Sequence, residues 1–436
     1  MPPPRPAAAP TLGPAPRIAA GVWTPNLDGR GNILVSDFEQ LPLYGWVQAQ
    51  TNTLDDVVPL PRYPTQQGNA DGSRSIVNAW CGAAYDYQNQ VMYLSGGGHA
   101  DSHICENGIY ALSADTLRFS IARARSPMSA GQWYDAVNRR FVAVTGPTDP
   151  KNGSANTCMT DGTSGATHTF DALEWIPPAV AGNSKGALLM FTGSKEILNL
   201  DTQQYDTSHF DGELLTDLSY KIVVMDGWNA IHARADFYYR LWDFAPATRT
   251  STLWSNDSRG RYIKQFDAGA RIVYNHKMLV RMPNRREFVV LSAPGGTPIH
   301  VRARYGQAFD SGNRRSWGAF HDSISLNSLD GSHMIFSDPE NWRDQDPDTA
   351  LFAAGGTYDH WGNCIWVQTN LQGGALYKIS GLDSNSWTTQ RVTGAAAIST
   401  SRNGTYHRCQ LLTKGASRCL MRVSSTTGNP EVCRVA

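Results

Sequence analysis

The sequence predicts an all-β protein: a β-propeller of about seven four-stranded blades with an extended N-terminal segment. Three observations predict it. The 436 residues include 40 Gly, 17 Tyr, 14 Phe and 13 Trp, and only 17% are charged; that is the composition of many short strands and tight turns. A unit recurs along the chain, made of an aromatic-Asp turn, an apolar strand, a Gly-rich turn, a second strand and an Asp/Ala-Thr turn. No stretch of useful length carries a helical period. A unit of this kind cannot bury both faces alone, so it must stack on the next, and a ring of such units leaves only short edges.

The clearest copy covers residues 83–120. Its expected parts are a strand at 91–94, a Gly turn at 96–98, a strand at 108–112 and an edge strand at 117–122. Weaker copies occupy residues 133–146, 169–206, 218–254, 282–304, 358–387 and 405–435. The segment GWVQAQ, residues 45–50, is expected to lend a strand to the last copy and close the circle. The division expected is therefore an extended Pro/Ala-rich tail or anchor over 1–44 and a propeller over 45–436. Removing residues 1 to about 40 is expected to leave the propeller folded. A long insertion at about 305–350 lacks the repeat, and long non-repeating loops usually carry function.

Charge and cysteine usage exclude several classes. Lys and Arg number 38, Asp and Glu 38, so the formal net charge is zero. Nucleic-acid binding draws on phosphate neutralisation and needs a basic surface, which this chain lacks globally; a local cluster at Arg281, Arg285 and Arg286 is the nearest approach. The seven cysteines include no CxxC pair, which points to reduced, buried thiols rather than a zinc site. One local disulfide among Cys409, Cys419 and Cys433 is left open. No apolar run approaches a membrane span. The first residues, MPPPRPAAAP, hold no apolar core of a signal peptide, so no secretion signal is expected.

The run SGGGHADSHICENGIYALSADTLRF, residues 95–119, resembles the first full blade of kelch-like propellers found in bacteria and phages. The shared pattern is Gly-Gly-Gly-His-Ala-Asp, a turn, then Asn-Glu and a strand. His99, Asp101, Glu106 and Asn107 stand near those places, with the last pair in reversed order. DGTSGATHTFDALEWIP, residues 161–177, resembles a second signature of the group, with Thr167 where an Arg is usual and Phe170 where a Tyr is usual. NGTYHRC, residues 403–409, resembles the opening of the last blade. The resemblance covers roughly residues 45–435. It implies a kelch-like fold and a carbohydrate theme, since the wider group includes galactose oxidase, glycan-binding modules and polysaccharide lyases. Fold alone does not fix function.

Each chemistry candidate has a plainer reading beside it. His99 follows three glycines and could serve as general acid or base, or could simply hydrogen-bond to the next blade together with Asp101. His168, if it meets His99 at one end of the ring, could flank a sugar. A lyase would need a base, an acid and a group that neutralises a uronate carboxylate. His99 or His168, Tyr205 and Arg234 could fill those roles; Thr167 removes one neutraliser. Trp317, Phe320 and Trp342 in the insertion, with Asp101, could contact a sugar, or the aromatics could pack the insertion onto the ring. The scattered His103, His209, His232, His300 and His321 form no metal motif, and no metal or cofactor is expected.

Two functions remain. In the first, the chain is a virion component of a phage tail or fibre. It docks on other tail proteins through residues 1–44, recognises a bacterial surface polysaccharide, and forms homo-oligomers. In the second, it cleaves a polysaccharide as a lyase using His99 and His168. No nucleic acid or membrane partner is expected. The expected place is the virion, with the bacterial cytoplasm as the alternative for a scaffold.

Overall fold

The computed structural model describes residues 17–19, 21–60, 75–78, 81–95, 106–126, 133–135, 140–142, 173–190, 196–206, 221–226, 238–245, 250–253, 278–282, 287–292, 299–304, 354–369, 374–383, 388–392 and 405–436. Among the described residues every regular element is a strand except three helices of four or five residues. The chain opens with β1 (Arg17–Ala19), β2 (Val22–Thr24), helix α1 (Val35–Glu39), β3 (Trp46–Ala49) and helix α2 (Ser75–Asn78). A four-stranded sheet follows: β4 (Ala83–Asp86), β5 (Val91–Leu94), β6 (Ile109–Ser113) and β7 (Phe119–Arg123). Strands β8 (Trp133–Asp135) and β9 (Arg140–Val142) pair with each other.

The next four-stranded sheet is β10 (Leu173–Ile176), β11 (Ala187–Met190), β12 (Glu196–Asn199) and β13 (Tyr205–Asp206), with helix α3 (Pro178–Ala181) after its first strand. Two three-stranded sheets come next. The first is β14 (Lys221–Asp226), β15 (Tyr238–Ala245) and β16 (Thr250–Leu253); the second is β17 (Met278–Met282), β18 (Glu287–Ser292) and β19 (Ile299–Arg304). A further four-stranded sheet is β20 (Gly355–Asp359), β21 (Cys364–Gln368), β22 (Leu376–Ser380) and β23 (Thr388–Arg391). The chain ends with β24 (Cys409–Lys414), β25 (Ser417–Arg422) and β26 (Glu431–Arg434), which pair back onto β3.

This is an all-β propeller arrangement with four complete blades. Among the described residues, the copies at 133–146, 218–254 and 282–304 give sheets of two, three and three strands. The strands expected in the first copy all form, shifted by a residue or two at their ends. The described cores lie between sheets, as face-to-face stacking requires. One joins Phe38, Met92, Tyr110 and Met421 between the closing and first blades. Another joins Ala84, Ile109, Trp175 and Leu198 between the first blade and the β10–β13 blade. A third joins Trp46, Trp366, Cys409 and Leu420 between the β20–β23 and closing blades. Strand β21 is buried at all five positions because neighbours cover both of its faces.

The aromatic-Asp unit is a turn device. Asp86 Oδ1 accepts from the backbone N–H of Gln88 and of Asn89, both at 2.9 Å, after which Gln90 takes φ 54° and β5 begins. Asp359 repeats this after β20, accepting from Gly362 N–H at 2.8 Å, with Asn363 at φ 45°. A short carboxylate that satisfies backbone donors locally lets the chain reverse within four residues.

The closing blade is six-stranded, in the order β1-β2-β3-β26-β25-β24. As expected, residues 45–50 supply a strand to the last copy: β3 runs antiparallel to β26, with Val47 opposite Val432. The described residues upstream of β3 are built in as well. β2 pairs parallel to β3, and Trp23, Phe38 and Leu41 are buried. The expected boundary at residue 45 therefore falls inside a sheet. Deleting residues 1 to about 40 would remove Trp23 and Phe38 from the core rather than trim a tail. Asn52 extends the join, giving and taking hydrogen bonds with the backbone of Phe119 at 3.0 and 2.8 Å.

Cys81, Cys364, Cys409, Cys419 and Cys433 are buried free thiols, so no disulfide forms within the last blade. Burial pushes the thiols of Cys364, Cys409 and Cys419 up to about 12, which keeps them protonated at neutral pH. No described helix is long and apolar enough to cross a membrane.

Candidate functional site

The strands nearest the axis belong to different blades and pack in turn: β4 against β10, β17 against β20, and β20 against β24. Close approach there depends on Gly355. A Cβ at that position would stand 2.6 Å from Cys409 Cβ and 2.8 Å from Thr405 Cγ2. Side chains bridge the inner strands. Tyr85 Oη donates to Leu411 O at 2.6 Å, tying β4 to β24. Thr413 N–H donates to Gln90 Oε1 at 2.6 Å, and Gln90 Nε2 to Thr413 Oγ1 at 3.2 Å. Thr357 Oγ1 donates to Gln410 Oε1 at 3.1 Å and accepts from Leu411 N–H at 3.2 Å, tying β20 to β24.

These strands enclose a cavity of about 290 Å³. Its wall carries Tyr85, Gln90, Thr357, Tyr358, Gln410 and Thr413. Glu174 from β10, Val280 from β17 and His407, just before β24, also line it. Much of the polar wall is already hydrogen-bonded, so its shape is set before any ligand arrives. Two aromatic side chains mark the exposed part. Tyr87 follows the β4 turn and is 41% exposed, its ring edge-on to Trp175 at 5.0 Å between centroids. Trp361 follows the β20 turn, is 59% exposed, and is in ring contact with His360. Desolvation lowers the His360 pKa below its ordinary value, against a smaller opposing pull from Asp359, so the imidazole is neutral at physiological pH.

Of the candidate catalytic and sugar-contacting residues, Tyr205 alone is described, and it is not part of this cavity. It sits on the edge strand β13 with its ring under the Arg123 guanidinium, 4.7 Å from Cζ to the ring centroid, packed on the core between the first blade and the β10–β13 blade. That placement fits a packing role. His99, His168, Arg234, Asp101, Trp317, Phe320 and Trp342 lie outside the described residues. Glu106 and Asn107, part of the quoted motif, form a buried lock. Glu106 accepts from Arg125 Nη1 at 2.9 Å and from Tyr110 Oη at 2.8 Å. Asn107 exchanges two hydrogen bonds with Ser126, at 2.9 and 2.8 Å.

In the NGTYHRC signature, Arg408 is fully buried and donates to Cys81 O at 2.8 Å and Val423 O at 2.6 Å, while His407 reaches the cavity. Burial lowers the Arg408 pKa to about 10, which leaves it charged at neutral pH. The sequence reasoning missed Tyr85, Tyr87, His360 and Trp361. Their signal was present: YDYQN and YDHWGN are two copies of one turn, each with aromatic residues on both sides of the aspartate.

Among the described residues no group of three or more His, Cys, Asp and Glu gathers as a metal-ligand set. The sequence matches no protein-family model and no curated protein.

Proposed function

We propose that this propeller is a recognition module that binds a glycan in the cavity on its axis. The single observation that carries the reading is the cavity itself: a preformed space of about 290 Å³ with hydroxyls and amides in its wall and two exposed aromatic rings. Aromatic faces stack on the apolar faces of sugars, while fixed polar groups meet the hydroxyls. Binding without cleavage fits this wall best, because many of its polar groups are engaged in holding blades together rather than aimed at a reacting atom.

We further propose that the molecule serves as a virion tail or fibre component facing a bacterial surface polysaccharide. The resemblance of residues 95–119 to phage-borne propellers supports this reading. So does the outer edge of the closing blade, where β1 ends the sheet and Ile18 and Val22 are exposed, a place where another tail protein can add. The short sheets at β8–β9, β14–β16 and β17–β19 are read as further blades of the same ring, giving seven. The contact of β17 with β20 and the place of Val280 in the cavity support that count.

The test is a binding screen over bacterial surface glycans, read by intrinsic tryptophan fluorescence. A bound glycan should change the emission of the wild type, and Trp361→Ala and Tyr87→Ala should each weaken binding about tenfold, equivalent to about 1.4 kcal/mol, without unfolding the protein. Failure of every glycan to bind, or full binding by both variants, overturns the reading.

A further inference from the structure

We infer that Arg418 of the closing blade is a positioning residue for the ligand: acting through Asp359, it holds the turn that presents Trp361 to the cavity. The inference rests on the glycan reading above and adds a control on that same site from a neighbouring blade. Trp361 stands between Asp359 and Gly362 in the hairpin that joins β20 to β21. Asp359 is fully buried, and its two oxygens do different jobs. Oδ1 accepts from Gly362 N–H at 2.8 Å and so closes the turn around His360 and Trp361. Oδ2 accepts from Trp366 Nε1 at 3.2 Å and from Arg418 Nη1 at 2.7 Å. A buried carboxylate needs such donors, and a charge-assisted bond of this length is of the strong kind.

Two further observations tie the clamp to the turn. The β4 turn, which carries Tyr87, is the same device, but there Asp86 Oδ2 accepts from Asn89 Nδ2 of its own turn at 2.7 Å. The β20 turn takes its donor from β25 of the closing blade instead. Gly362 leaves room for that donor: a Cβ at this position would stand 2.5 Å from Arg418 Nη1 and 2.7 Å from Asp359 Oδ2. Guanidinium, carboxylate and turn backbone are therefore in contact. Trp361 is 59% exposed and in ring contact with His360 of the same turn, so its place at the cavity is set by the backbone that carries it. A turn held in advance spares the ligand the cost of ordering it, which appears as affinity.

The test uses the full chain and two readouts. Without ligand, hydrogen exchange over residues 359–363 should speed up about tenfold in Arg418→Met, because the turn opens more often. Arg418→Lys, which keeps one charged donor, should restore most of the protection. With a galactan hexasaccharide as probe, or a glucan hexasaccharide where that binds more tightly, Arg418→Met should weaken binding about tenfold. In a Trp361→Ala background the same substitution should change binding by less than about twofold, because it acts through Trp361. Gly362→Ala, which displaces the guanidinium while keeping it in the chain, should reproduce both effects, and it carries the test if Arg418→Met does not fold. Unchanged exchange in both variants means that the turn stands without Arg418, and it overturns the inference while the glycan reading survives. An equal loss of binding in both backgrounds, or no loss in either, also overturns it. If neither hexasaccharide nor any other glycan binds the wild type, the glycan reading falls and the positioning role with it.

Discussion

Glu106 illustrates how one buried side chain fixes a blade. Its carboxylate is fully buried and gathers Arg125, Tyr110 and the backbone N–H of Gly108, at 2.9, 2.8 and 3.3 Å. The chain entering β6 is thereby stapled to the chain leaving β7. Removing one partner of a buried pair strands the other, so Glu106→Ala should cost about 3–5 kcal/mol in urea unfolding. A loss below about 1 kcal/mol would mean that Arg125 finds water and that the lock is not structural. The motif that contains Glu106 and Asn107 was visible in the sequence; their role was not. Arg125 and Ser126 lie 19 residues downstream of them, and only the lengths of β6 and β7 bring the two pairs together. Tyr205 gives the opposite lesson. Read in the sequence as one candidate acid of a lyase, it sits on the edge strand β13 with its ring under Arg123.

At the scale of elements, the N-terminal region is the clasp of the ring. The β3–β26 pairing was legible because GWVQAQ is a short apolar strand ahead of the first copy. The contribution of β1 and β2 was not, since the Pro/Ala composition upstream reads as a tail and Trp23 has no repeat partner to mark it. Trp23 is fully buried, with its ring edge-on to Phe38 at 5.3 Å. Trp23→Ala should therefore cost about 3–5 kcal/mol, the usual range for an aromatic core truncation, measured by thermal or urea unfolding. The contrary result, near-wild-type stability, would show that β2 is an appendage. Strand closure between the two ends of a chain also explains why the first and last copies depend on each other. Tyr85 and Gln90 from the first sheet hydrogen-bond to the backbone of β24, more than 300 positions away.

Across the whole molecule, function is proposed where copies of one turn meet. The β4 and β20 turns each spend an aspartate on reversing the chain, and the residues beside that aspartate line the cavity. The strands and their order could be read from periodicity and turn chemistry. The cavity could not, because its described wall takes between one and five residues from each of five sheets and no local pattern announces which of them face inward. The central claim is that the axial cavity is where a ligand binds. Its most direct test is a crystal structure of the protein soaked with its tightest-binding oligosaccharide. The account predicts a sugar ring in the cavity bounded by Tyr85, Thr357 and Gln410 and in contact with Tyr87 or Trp361. A sugar bound on the outer edge of a blade, with the axis holding only water, would contradict it.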